Sequence, residues 1–341
     1  MWDKLQQGWR RPRLLNYLLV PISWCYMLLA RLRHQCYRAG IFKSSTLPMP
    51  VIIVGSISVG GSGKSPLVIA LVNHLKEKGF KPGVISRGYG GKSAFWPRAV
   101  DQTTSAELVG DEPQLIFEQC DVPVVTGPDR VRNGYYLIDD MNCNGNCDIL
   151  ISDDGYQHFA LKRTIDIAVV DGQYGFGNGW CLPAGPLREP KSALKRADIV
   201  VINGPSTGEL LRGIPCCCPV YCMGMELQEA YNLMDKRRRK LSEFSNYPVH
   251  AVAGIGNPIR FFSQLENAGI DITPQVFPDH HKFTENDLAF ADNREVLMTE
   301  KDGVKCRGMS VAKNIWVVPA KLRVDEDLYQ RIEALISKGY R

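Results

Sequence analysis

Val51-Ile52-Ile53-Val54-Gly55-Ser56-Ile57-Ser58-Val59-Gly60-Gly61-Ser62-Gly63-Lys64-Ser65-Pro66 is the stretch that decides the fold. An apolar run, a glycine-rich turn and a helical pattern from near Pro66 predict a buried strand, a phosphate-binding loop and a helix. Glycines let backbone N–H groups close around phosphate oxygens, and the new helix turns its positive end toward the same anion. Lys64 would reach the outer phosphates, and Ser65 would offer a hydroxyl to Mg2+. The candidate nucleotide site is therefore Ser58, Val59, Gly60, Gly61, Ser62, Gly63, Lys64 and Ser65, with a nucleoside triphosphate and Mg2+ as its expected ligands. The strict loop pattern has Gly where this chain has Ser58. An ordinary tight turn would explain the glycines but not a lysine followed by a hydroxyl.

Upstream of the loop, residues 1–43 carry eight Lys or Arg against the single acid Asp3, which points to an anionic surface. Within them, Leu14 to Ala30 is the most hydrophobic stretch of the chain. Its length is at the lower limit for a membrane span, and Asn16, Pro21 and Ser23 interrupt it. A helix lying in the membrane interface is the preferred reading, with Tyr17, Trp24 and Tyr26 near headgroup level. A helix packed on the protein's own core is the alternative.

The 341 residues suffice for two domains, and 45% apolar with 23% charged residues is a globular composition. Eleven cysteines without paired ligand spacing read as free thiols in a reducing compartment. The basic run Lys236 to Lys240 reads as an exposed hairpin turn. Without interleaved aromatics it gives no support for nucleic-acid binding, and nothing in the sequence implies a protein partner.

Downstream of the loop, strands and helices alternate. Gly83 to Ser86 reads as a strand that leads into Arg87-Gly88-Tyr89-Gly90-Gly91, either a phosphate- or sugar-binding loop or a mobile surface turn. Gly110-Asp111-Glu112-Pro113 opens a helix running to about Cys120. Acids are favoured in a first helical turn, so the pattern alone makes Asp111 structural. The run from Asp148 reads as a buried parallel strand ending in Asp153 and Asp154, followed by Gln157 and His158. Ligands gather at the carboxyl ends of such strands, and two acids beside the glycine loop suit a Mg2+-nucleotide site. The irregular stretch Gly172 to Pro190 contains Leu187-Arg188-Glu189-Pro190, and a loop of that length is usually functional. A second alternating unit follows from Val249.

Eight motifs in order resemble the tetraacyldisaccharide 4′-kinases, the lipid A 4′-kinases of Gram-negative bacteria. They are the glycine loop, Ser-Arg-Gly-Tyr-Gly-Gly from Ser86, Gly-Asp-Glu-Pro from Gly110 and Asp-Asp-Gly-Tyr-Gln-His from Asp153. Leu-Arg-Glu-Pro from Leu187, Gly-Ile-Gly-Asn-Pro from Gly254, Phe-Pro-Asp-His-His from Phe277 and Thr-Glu-Lys-Asp from Thr299 complete the set. The resemblance implies two α/β lobes joined by a two-stranded linker, with the active site in the cleft. It implies transfer of the ATP γ-phosphate to the 4′-hydroxyl of a lipid-linked glucosamine disaccharide at the cytoplasmic face of the inner membrane. In that light Ser58 is a family feature. Asp111 and His280 correspond to the catalytic pair, which reverses the structural reading of Asp111. Ser65, Asp154 and Glu189 correspond to positions around Mg2+. Arg87, Gly88, Tyr89, Asp153, Gln157 and His158 are the candidate substrate-binding residues, and Lys64 joins the catalytic set. The run at Lys236 is less typical of the family.

The expected fold is α/β: a P-loop NTPase-like parallel-sheet domain, a second, smaller α/β domain and an N-terminal membrane-interface helix. Expected boundaries are 1–43 for the membrane-associated segment, 44–218 for the kinase domain, 219–247 for a hairpin linker and 248–341 for the smaller domain. The last helix is a candidate to return to the first domain. Two other functions compete with the kinase. A membrane-associated switch ATPase usually places a second lysine just before the double glycine, where this chain has Val59. A soluble small-molecule kinase would bury the N-terminal helix in its core.

Overall fold

In the computed structural model, which describes residues 8–9, 13–139, 147–215, 217–255, 257–278, 281–306 and 308–339, the chain forms two units. One is Met1–Gly224 with Val324–Arg341, and the other is Met225–Arg323. The strands in chain order are β1 (Val51–Gly55), β2 (Pro82–Ser86), β3 (Arg98–Ala99), β4 (Val124–Thr126), β5 (Ile149–Asp153), β6 (Ile165–Asp171), β7 (Ile199–Asn203) and β8 (Val220–Leu227). They continue as β9 (Ala230–Asn232), β10 (Arg238–Arg239), β11 (Val249–Ala253), β12 (Ile272–Val276), β13 (Val296–Thr299), β14 (Ile315–Val318) and β15 (Ala320–Val324).

The larger sheet runs β15-β8-β7-β6-β1-β5-β2-β4-β3, parallel from β4 through β8, with β3 antiparallel at its edge. Near-continuous apolar runs such as Ile149-Leu150-Ile151 and Ile199-Val200-Val201-Ile202 form these strands because both faces are covered. Ile57, Tyr156, Val170, Leu187 and Ile202 belong to one core cluster, and Ile53, Ile85, Val125, Leu137 and Leu150 to another. The expectation of an α/β fold built on a parallel sheet therefore holds.

β1 lies at the centre and pairs with β5 on one side and β6 on the other. Chain order reverses around it, which opens a crevice at the carboxyl ends of these strands. In register, Val54 stands opposite Asp153, so the acid-ended strand is the immediate neighbour of the strand feeding the glycine loop.

The helix after the loop, Lys64–Glu77, buries Leu67, Val68, Leu71, Val72 and Leu75, the spacing of a helix with one face on the sheet. The last helix, Glu326–Gly339, packs on it within the same unit. Glu333 meets His74 at 2.7 Å and Lys78 at 3.1 Å, and the Tyr329 ring stacks on His74 at 4.1 Å. β15 escaped the sequence reading because its alternating Ala-Lys-Leu-Arg-Val pattern is half exposed and carries no buried run.

The second unit holds the sheet β10-β9-β14-β13-β11-β12, with β14, β13, β11 and β12 parallel. The basic run is only partly a free turn. Lys236, in the left-handed region at φ +62, and its exposed neighbours make the bend, but Arg239 folds inward. Its guanidinium binds Glu295 at 3.0 and 3.1 Å and lies over the Phe244 and Trp316 rings. A carboxylate flanked by aromatic faces suits arginine better than solvent does.

The N-terminal hydrophobic stretch forms two helices, Leu14–Leu18 and Val20–Arg38, broken at Leu19 ahead of Pro21. Proline lacks the N–H that would continue the first helix and is accommodated at the start of the second. Leu14, Leu18, Ile22, Trp24, Leu28, Leu29 and Leu32 are exposed, whereas Asn16 and Ser23 are buried. Tyr26 departs from its expected headgroup position. It turns inward, packs on the core around Ile57 and donates to the Arg188 carbonyl at 3.0 Å. Among the described residues no helix is long and apolar enough to cross a membrane.

Candidate active site

The glycine loop is held in one conformation by its neighbours. Gly63 has φ +88 and a Cβ there would overlap the Asn203 side-chain amide, so both conformation and space require glycine. Asn203, at the end of β7, donates its amide to the Ser62 carbonyl at 3.0 Å and pins the loop from the far side of β6. Val59 N–H donates to the Pro186 carbonyl at 2.9 Å. Ser58 N–H donates to Ser56 Oγ at 3.1 Å, and the two hydroxyls meet at 3.0 Å. By contrast, Ser62 Oγ and Asn203 Oδ1 are buried without a hydrogen-bond partner. Buried polar atoms left unpaired at the loop are what a polar ligand would satisfy.

The acids at the end of β5 diverge. Asp154 has φ +48, a left-handed turn that short polar residues tolerate, and its carboxylate lies 3.6 Å from Lys64 Nζ. Arg188 Nη1 donates to both of its oxygens at 2.9 Å. Burial alone would raise the Asp154 pKa, but Lys64 and Arg188 outweigh it and hold the carboxyl below the usual range. Asp153 is fully buried, accepts from Ser86 Oγ at 3.3 Å through one oxygen and leaves the other unpaired. Its burial, and then the nearby Glu112 charge, push it up to about 7. Lys64 and Ser65 are themselves buried at the first turn of their helix.

Glu189 is placed beside this pair but is already engaged. Arg196 grips it in a fork, 2.6 and 2.7 Å, and Gln157 donates to it at 2.9 Å. Gln157 also donates to the Ser56 carbonyl at 2.9 Å, linking Glu189 to the glycine loop. Among the described residues, no group of three or more His, Cys, Asp and Glu could hold a metal unaided. That is compatible with Mg2+, which typically takes one or two protein groups and completes its shell with phosphates and water.

Two other motifs meet over β2 and β4. Gly110, at φ +95, backs onto the Tyr89 carbonyl and Gly88, so the Ser86 to Gly91 loop seats the start of helix Asp111–Cys120. Asp111 is exposed on its first turn, and Arg87 and Tyr89 are exposed beside the buried Gly88. His158 is half-buried, and burial with Arg130 lowers its pKa to about 4, so it is neutral at physiological pH. His280 lies outside the described residues.

Several groups went unnoticed in the sequence. Arg188 stood inside a quoted motif, next to the acid singled out, and its carboxylate partner comes from a distant strand. Arg130 is buried and donates to the Asp153 and Gly127 carbonyls, fixing the end of β5. Asn203 carried one usable signal, a polar residue closing an otherwise apolar strand.

A central parallel strand, a glycine loop, its lysine and an acid-ended neighbouring strand define an α/β protein of the P-loop class. The model of the family "Tetraacyldisaccharide-1-P 4'-kinase" matches residues 15–337, and the chain belongs to that family. The tetraacyldisaccharide 4'-kinase of Nitrosococcus oceani is 43% identical over 325 residues, covering 95% of this chain and 91% of that protein. That of Methylobacillus flagellatus is 43% identical over 337 residues, covering 98% and 96%. A crystal structure of LpxK from Aquifex aeolicus in complex with ATP superposes with a TM-score of 0.72 at 29% identity, covering 95% of this chain and all of that one.

Proposed function

We propose that this protein transfers the γ-phosphate of ATP to the 4′-hydroxyl of tetraacyldisaccharide 1-phosphate, forming lipid IVA at the cytoplasmic face of the inner membrane. The observation that carries the reading is the Lys64–Asp154 pair across the mouth of the glycine loop, in a chain that belongs to the 4'-kinase family. A lysine poised on an acid at the end of the neighbouring strand is an arrangement a metal-nucleotide would split, the cation taking phosphate and the acid taking metal.

Backbone N–H groups of Gly60 to Lys64 would cradle the phosphates, with Lys64 on the outer ones. The Ser65 hydroxyl and the Asp154 carboxylate would hold Mg2+, and Glu189 would join them only by exchanging Arg196. When bound, Mg2+ would neutralise charge on the phosphates. Asp111 would accept the hydroxyl proton as the phosphoryl group transfers, since an alcohol is a weak nucleophile at neutral pH. His280 corresponds to the second member of the catalytic pair by the same matching. Arg87, Gly88, Tyr89, Gln157 and His158 are proposed to frame the sugar, and Asp153, fully buried, is withdrawn from that set.

The exposed apolar face of helix Val20–Arg38 supports an interfacial seat, because a many-chained acceptor stays in the bilayer. A cavity of about 290 Å3 beside that helix is lined by Arg31, Arg38, Lys195 and Arg196 together with the single acid Glu189, a net positive lining suited to anionic headgroups.

Incubation with γ-labelled ATP and tetraacyldisaccharide 1-phosphate in mixed micelles tests the reading. Wild type should label the lipid, and Lys64→Ala should not. ATP hydrolysis without any label on the lipid would favour a membrane-associated switch ATPase.

A further inference from the structure

The N-terminal helices do more than present an apolar face. Their inward side is hydrogen-bonded to one short segment, Leu182 to Glu189. Asn16 Nδ2 donates to the Ala184 carbonyl at 3.0 Å, and the Ala184 N–H donates to Ser23 Oγ at 3.0 Å. Trp9 Nε1 donates to the Pro183 carbonyl at 3.1 Å, and Tyr26 Oη donates to the Arg188 carbonyl at 3.0 Å. Asn16, Ser23 and Ala184 are buried, so their bonds are shielded from water, whereas the bond from Tyr26 to Arg188 is half-buried.

The opposite side of the same segment is bonded to the glycine loop. Arg188 N–H donates to the Ile57 carbonyl at 2.6 Å, Val59 N–H donates to the Pro186 carbonyl at 2.9 Å, and Ser58 bridges Leu187. Its side chains then leave in two directions. Arg188 clamps Asp154 and Glu189 enters the fork of Arg196. The segment is thus hydrogen-bonded to the N-terminal helices on one side and to the glycine loop on the other.

From this geometry we infer that the N-terminal helix is a positioning element of the active site, acting chiefly through Tyr26, and is not solely an anchor. Tyr26 fixes the carbonyl of the residue whose guanidinium holds Asp154. A neutral hydrogen bond at that point sets where Arg188 leaves the main chain, and hence whether Asp154 stands in reach of Lys64 and the metal. Because the outward face of the same helix is apolar and the inward face is hydrogen-bonded, the two roles are separable residue by residue. Tyr26 and Ser23 serve the segment, whereas Trp24, Leu28 and Leu29 serve the bilayer.

The inference rests on the kinase reading, and the test keeps the two apart. Tyr26→Phe removes one hydroxyl and leaves the ring in its core cluster. Turnover of micellar acceptor should fall about three- to tenfold, the worth of one half-buried hydrogen bond. KM for the acceptor and the fraction pelleting with vesicles should stay at wild-type values, and Tm should fall by no more than a few degrees, the cost of one hydrogen bond. Ser23→Ala should lower turnover in the same way. Leu28→Ala combined with Leu29→Ala should instead raise KM and release protein from vesicles, with kcat in saturating micelles unchanged. Wild-type turnover in Tyr26→Phe, or a turnover loss accounted for by unfolded protein at the assay temperature or by lost membrane binding, would overturn the positioning role. Failure of the wild type itself to label the lipid would overturn the kinase reading instead.

Discussion

Replacing Asp154 by Asn keeps the side chain's shape and removes one negative charge from between two cations, Lys64 at 3.6 Å and Arg188 at 2.9 Å. At an effective dielectric of about 20, unit charges at the Lys64 separation attract by about 4–5 kcal/mol. The Asp154 side chain is 22% exposed and therefore partly screened, which leaves about 1–2 kcal/mol as a working figure. In the wild type, ATP without metal must pull Lys64 away from Asp154 and also face that carboxylate. In Asp154→Asn neither cost remains. Metal-free ATP should therefore bind about five- to thirtyfold more tightly to the variant, with 1.4 kcal/mol counted as tenfold. With Mg2+ the order should reverse, because a metal ligand is gone, and turnover should fall at least about a hundredfold. Isothermal titration of ATP in EDTA and again in Mg2+, on wild type and variant, reads both effects. Weaker metal-free binding by the variant, or an unchanged gain on adding Mg2+, would refute the reasoning.

Three further expectations follow from individual residues. Asp111→Asn should cut turnover by about a hundredfold or more while ATP affinity moves less than about twofold, measured by steady-state kinetics beside nucleotide titration; equal losses in both would remove Asp111 from the proton-accepting role. Asp153→Asn should raise Tm by at least about 2 °C at pH 8, by differential scanning calorimetry. The sign follows from Asp153 keeping its proton up to about 7 when folded, above its unfolded value, so stability present at low pH is lost as pH rises through that window. The gain should therefore shrink toward pH 5, and a gain equal at both pH values would point elsewhere. Arg31→Gln with Arg38→Gln should weaken binding to anionic vesicles by about tenfold or more at low salt, since each near-surface base is worth about 1 kcal/mol. Binding to neutral vesicles should be unaltered.

The larger sheet was legible because its strands are buried on both faces and announce themselves as apolar runs. The acids at Asp153 and Asp154 were legible for a related reason, as charge stands out at the end of such a run. Where burial is partial the signal fades. Ala320–Val324 alternates over only five residues, none of them buried, and Arg98–Ala99 is two residues at an edge, so neither was anticipated. Within the site, what escaped was pairing across long separations. Nothing near Arg188 in sequence says that its guanidinium will meet Asp154, or that Arg196 will occupy Glu189. Tyr26 was misjudged because an aromatic in a hydrophobic stretch reads as interfacial. Its inward turn depends on the Arg188 carbonyl, 162 positions away.

The central claim is that the phosphoryl group lands on one hydroxyl of a lipid-linked sugar, and phosphorus NMR of the reaction product tests it most directly. The account predicts a second phosphomonoester signal that correlates with the proton on the 4′ carbon of the disaccharide and grows as ATP is consumed. Inorganic phosphate in its place, or a new ester at any other carbon, would contradict it.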